Sequence, residues 1–141
     1  NRVSRNQIMA IKEESVTEQK NSLAVCLDNI LRHAGITRNT EYDLAQGKTA
    51  TTILSENMTG VQVLDLSGCT LDAVLYYVNQ DIPVLAILDD GEAVLVTGFN
   101  EFNVVIMEPS TGKLYKKGMN DATAWFAENG NHFITYMRTE N

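Results

Sequence analysis

From Leu23 the apolar positions Leu23, Cys26, Leu27, Ile30, Leu31 and Ala34 recur at the i, i+3, i+4, i+7, i+8 and i+11 spacing of a single helical face, which predicts a central buried helix. Asn21 or Ser22 is placed to cap its exposed amides, and Gly35 supplies the left-handed residue that ends it. Residues 36 to 60 are rich in Thr, Asn and Gly, with short helical stretches expected at Glu41 to Gln46 and Thr51 to Asn57, and a short strand follows at Val61 to Leu66. Thr70 then caps a second amphipathic helix, Leu71 to Asn79, with Leu71, Val74, Leu75 and Val78 on one face. Beyond it the period changes. PVLAILD (83 to 89), EAVLVTGF (92 to 99) and NVVIMEP (103 to 109) are apolar runs of strand length, separated by Asp90-Gly91 and by Asn100-Glu101-Phe102, and they predict an antiparallel meander. KLYKK (113 to 117) reads as a weaker strand after the Ser110-Thr111-Gly112 turn. A short helix begins at Asn120 or Asp121 and runs through Trp125 and Phe126, and HFITYM (132 to 137) closes the sheet. Helix first and sheet second predicts an α+β domain. Residues 1 to 20 are polar and charged, with Ile8, Met9 and Ile11 too sparse for a core helix, so they read as a linker or a peripheral helix ahead of a domain at 21 to 141.

Composition narrows the picture. A chain of 141 residues that is 44% hydrophobic can bury a core without metal or disulfide staples. No apolar run approaches the roughly 20 residues that cross a bilayer, which argues against membrane insertion by this segment. The first residue is Asn1 rather than Met, as expected of a piece of a longer protein. The net charge of -7 reflects 18 acidic against 11 basic residues, and the basic ones cluster only at Lys113, Lys116 and Lys117. Displacing counterions from phosphates needs a denser basic surface, so nucleic acid is not an expected partner. The two cysteines, Cys26 and Cys69, are too few for a disulfide framework or a zinc site of their own, and they read as two buried thiols, with a single pairing left open.

The order of these parts resembles the bacteriocin-processing cysteine peptidases of the papain-like superfamily, which cut after double-glycine leaders. In that family the nucleophile opens a helix with the pattern Cys-Gly-x-Ala-Cys-Leu-x-x-Ile-Leu, and SLAVCLDNIL lies in its register. Ser22 falls on the nucleophile, Leu23 on the glycine and Cys26 on a helix-packing cysteine. The family's base opens a strand His-x-Val-x-x-x-Gly, where EAVLVTGF puts Glu92. Its orienting aspartate begins Asp-Pro-x-x-Gly, where this chain has Glu108, Pro109 and Gly112. The resemblance spans roughly residues 19 to 138 and implies a papain-like cysteine peptidase fold, with an N-terminal central helix packed on an antiparallel sheet. Gln19 is the nearby candidate for the family's oxyanion glutamine.

If that register holds, the chemistry is gone. A thiolate nucleophile draws its low pKa from a helix N-terminus and an imidazolium, whereas a serine hydroxyl needs a strong base. Glutamate, ordinarily near pKa 4.3, is too weak to deprotonate a hydroxyl usefully. The expected function is therefore that of a catalytically inactive peptidase-like domain. It would bind an extended peptide, a leader or cargo segment, in the former cleft at Gln19, Ser22, Leu23, Glu92 and Ala93. Other domains of a longer parent chain are expected partners, no cofactor or metal is implied, and an extracytoplasmic or envelope setting is slightly favoured.

Competing readings remain at this point. An active thiol peptidase could pair Cys26 with His132, and Cys69 lies just ahead of a helix start. His33, near the end of the first helix, suits a stabilising role at the helix C-terminus. Glu92 and Glu108 could act as paired carboxylates, and Asp89, Asp90 and Glu92 form an acidic turn without the ligand spacing of a calcium loop. A third class is a module that only packs against its neighbours.

Overall fold

The computed structural model describes residues 7 to 8 and 21 to 139. The helix read from the apolar stripe is α1, Ser22–His33. Asn21 Oδ1 accepts from the amides of Leu23 and Ala24 at its start, and Gly35 takes a φ of +87° just past its end, where a side chain would be strained. Two short helices follow, α2 (Glu41–Ala45) and α3 (Ala50–Asn57). Then come β2 (Val61–Asp65) and α4 (Leu71–Val78), whose cap is Thr70. The second half runs β3 (Val84–Ile87), β4 (Ala93–Phe99), β5 (Asn103–Glu108), β6 (Lys113–Gly118), α5 (Met119–Glu128) and β7 (His132–Arg138).

The meander is present as β3-β4-β5-β6, every pair antiparallel. The last strand does not lie at a border. The order is β2-β7-β3-β4-β5-β6, so β7 enters the interior between β2 and β3, with Leu85 opposite Ile134 and Val63 opposite Tyr136. Inside the segment expected as linker or peripheral helix, Gln7–Ile8 form a two-residue strand, β1. It pairs with Phe99 and Gly98 of β4, alongside the part of β4 that lies beyond β3. The remainder of that segment lies outside the described residues.

β4 is buried at every position, as a strand covered on both faces must be. Alternation along β7 separates the two layers. Phe133 packs edge-to-face against Phe126 of α5, with ring centroids 5.3 Å apart, while the opposite parity, Ile134 and Tyr136, faces the side of α1 and α3. The core runs continuously through the sheet, joining Leu27, Ile30 and Leu31 of α1, Ile53 of α3, Leu71 and Val74 of α4, and Leu85, Leu95 and Ile106 of the strands.

Candidate functional site

The N-terminus of α1 meets the start of β4. Asn21 closes the first helical turn with its side chain at 2.8 and 3.3 Å from the Leu23 and Ala24 nitrogens, and its carbonyl accepts from Val25. This fixes Ser22 as the first helical residue. On the other side, the turn between β3 and β4 is set by Gly91 N–H to Leu88 O, Leu88 N–H to Glu92 O and Glu92 N–H to Asp90 Oδ1. That turn presents the Ala93 amide to the helix, and the amide donates to Ser22 Oγ at 2.8 Å. Two positions 71 residues apart in sequence are thereby joined by one hydrogen bond.

The expected cleft residues are placed as follows. Ser22 and Ala93 touch, Leu23 is half-buried against the core, and Glu92 is exposed on the turn beside Ala93. Gln19 lies outside the described residues. Glu108, at the end of β5, accepts from the Ser110 hydroxyl at 3.0 Å. No hydrogen bond links it to Glu92 or Ser22 among the described residues. In the acidic turn Asp90 Oδ1 accepts from the Glu92 amide, and the Asp89 backbone amide donates to Asn129 Oδ1. Among the described residues no group of three or more His, Cys, Asp or Glu side chains is disposed to hold a metal ion.

Both cysteines are free thiols. Cys26 sits one turn inside α1 with no exposed surface, and burial pushes its thiol far above the ordinary range, with the nearby Glu108 carboxylate adding to the rise. A thiol so held is a packing group rather than a nucleophile. Cys69, read as buried, is only partly so.

The histidines stand apart from Ser22. His33 occupies the far end of α1, about 16 Å along the axis at 1.5 Å per residue, where its Nε2 lies 3.2 Å from the Asp81 carbonyl oxygen. His132 is across β3 from Ala93, since Ile87 pairs with both. Two strand spacings put about 10 Å between their backbones. No hydrogen bond joins Cys26 to His132 among the described residues.

His132 is instead within electrostatic reach of Asp65, a carboxylate that the sequence reading missed. Asp65 Oδ1 accepts the Ser67 hydroxyl at 2.5 Å and the Ser67 amide at 3.0 Å. The Ser67 hydroxyl bond chiefly holds the Asp65 carboxyl below its ordinary range, helped by the Ser67 amide and by His132. The only signal in the sequence was the Asp-x-Ser spacing that makes such a turn.

No family model matches the chain, and no curated protein matches it. Among solved structures it is similar to the crystal structure of a protein named as a C39-like peptidase from Bacillus anthracis. The TM-score is 0.76 at 12% identity, over 95% of this chain and 98% of that one. The fold is that of a C39-like, papain-like peptidase. At that identity the likeness concerns architecture alone. Within the C39-like fold, Ser22 and Glu92 flank the meeting of helix and strand where the sequence resemblance puts nucleophile and base.

Proposed function

We propose that this domain binds an extended peptide in the groove between the start of α1 and the start of β4, without cleaving it. The observation that carries this reading is the hydrogen bond from the Ala93 amide to Ser22 Oγ at 2.8 Å. It supports the register in which Ser22 stands for the nucleophile and Glu92 for the base. It also gives the hydroxyl a structural task, accepting the hydrogen bond of a backbone N–H that a strand start must satisfy.

Neither requirement for hydroxyl attack is supplied there. No imidazole hydrogen-bonds Ser22 among the described residues, and the neighbouring Glu92 is a solvent-exposed carboxylate. Cys26, the thiol nearest in sequence, is sealed in the core. By the resemblance, the cleft there would accept an extended segment through backbone hydrogen bonding, with side-chain pockets giving selectivity. Leader or cargo segments are the partner class that the resemblance brings with it, and a longer parent chain is the natural setting for such a module.

The test is a titration of the isotope-labelled domain with peptides ending in a double glycine. Saturable shifts of the Leu23, Glu92 and Ala93 amides are expected. Shifts elsewhere, with these three unmoved, would remove the groove from the account.

A further inference from the structure

α1 ends at His33, on the opposite end of the domain from Ser22, and a cavity of about 530 Å³ opens there. That volume lies within the range of roughly 300 to 1,000 Å³ that small-molecule sites occupy. Its apolar wall includes Ile36 and Met58, and its polar wall is made by His33, Asp81, Tyr136 and Arg138.

The polar groups are not equivalent. His33 Nε2 is 3.2 Å from the Asp81 carbonyl oxygen and 3.5 Å from its Oδ2, so the imidazole nitrogen is turned to Asp81. Asp81 holds this position with a φ of +66°, a conformation that a residue with a side chain rarely adopts. Arg138 donates from Nη1 to the Gln80 carbonyl at 3.1 Å, which anchors the guanidinium at the rim and leaves most of its five N–H donors for another acceptor. Tyr136 is 2% exposed, and its side chain makes no hydrogen bond within the described residues. The ring lines the cavity, and its hydroxyl is within electrostatic reach of both the Arg138 guanidinium and the Asp81 carboxylate.

A guanidinium and a phenolic O–H beside an apolar wall match one ligand chemistry, an anionic acceptor on a hydrophobic body. We propose that this cavity binds a small carboxylate carried on an apolar chain. The carboxylate accepts from Arg138 and Tyr136, and the chain lies against Ile36 and Met58. Arginine suits a carboxylate because its donors form a planar fork that two oxygens can engage together. The site is separate from the groove at Ser22 and stands whether or not that groove binds peptide.

Two sources present this chemistry, a fatty acid and the C-terminus of a hydrophobic peptide. Octanoate and N-acetyl-Leu-Leu are therefore titrated into the isotope-labelled domain, beside octanamide and N-acetyl-Leu-Leu-amide, which lack the charge. Saturable shifts are expected at Ala34, Gly60, Asp81 and Arg138, with the neutral amides at least about ten-fold weaker. R138Q and Y136F should each weaken the carboxylate by about ten-fold or more while leaving the shifts of the Ser22 end unchanged. Arg138 is exposed, so R138Q keeps the comparison open even if Y136F disturbs the fold. Binding of either carboxylate with this pattern supports the assignment and tells which source fits. Equal binding of acid and amide, affinity indifferent to R138Q, or no shift at these residues up to about 10 mM ligand (a free energy weaker than roughly -3 kcal/mol) overturns it.

Discussion

Asp28 is a carboxylate on the buried face of α1, and its Oδ1 accepts the Thr40 amide at 2.8 Å and the Thr40 hydroxyl at 2.7 Å. The same hydroxyl lies 3.2 Å from the Ala24 carbonyl, so one threonine ties the loop before α2 to the middle of the central helix. Asp28→Ala strands the buried Thr40 N–H, while the hydroxyl keeps the Ala24 carbonyl as an acceptor, and a loss of about 1–3 kcal/mol in a urea titration is expected. An unchanged midpoint would mean that Thr40 finds other acceptors. Reading apolar periodicity finds Cys26 and Ile30 because they repeat. It passes over Asp28, whose partner lies 12 residues on in a stretch with no pattern of its own. Cys26 itself gives a second expectation at this scale. In the folded domain near neutral pH, alkylation followed by peptide mass spectrometry should label Cys69, which is partly exposed, and spare Cys26, whose thiol is buried and raised in pKa. Rapid modification of Cys26 would contradict its place in the core.

Helices in this chain begin where the side-chain chemistry says they should. Asn21 caps α1 through contacts of 2.8 and 3.3 Å, whereas Thr70 caps α4 through a single contact of 3.4 Å. Asn21→Ala should therefore cost about 1 kcal/mol and Thr70→Ala less, by thermal or urea unfolding. The reverse order would show that cap distance does not set cap strength here. Between α1 and α2, Arg38 grips Asp43 with two bonds of 2.9 and 2.8 Å. The Arg38 hydrogen bonds hold the Asp43 carboxyl below its ordinary range, against the opposing effect of burial. A folded pKa lowered in this way gives a contribution that is full above the unfolded value of about 3.9 and is lost as the pH falls through the folded value. Urea midpoints at about pH 7 and about pH 3 should thus differ less in Arg38→Gln than in the parent protein. An identical difference in both would remove the ion pair from the acid response. Apolar runs such as PVLAILD and EAVLVTGF announced their strands because both faces of these strands are buried. Gln7–Ile8 could not be found that way, since two residues carry no period.

At the scale of the molecule, the sequence spoke clearly about which strands exist and poorly about who their neighbours are. Hairpin turns such as Asp90-Gly91 tie consecutive strands together, so the meander from β3 to β6 was legible. β7 follows a helix rather than a hairpin, and nothing local states that it slots between β2 and β3. The proximity of Ser22 to Ala93 came through resemblance, because no spacing rule brings positions 71 residues apart into contact. The cavity beyond His33 was not legible at all, as its walls come from α1, the loop before β2, the turn after α4 and the end of β7. The two ends of α1 carry different polar groups. At one end a serine holds a backbone amide, and at the other an arginine and a tyrosine face an apolar wall.

The central claim is binding without cleavage at the Ser22 end. Its most direct test holds the domain in excess over a double-glycine leader peptide and follows, in one sample over a day, the Ala93 amide shift and the peptide's mass. The account predicts a shifted Ala93 resonance and a peptide of unchanged mass. A product cut after the glycines, absent from a Ser22→Ala control, would contradict it.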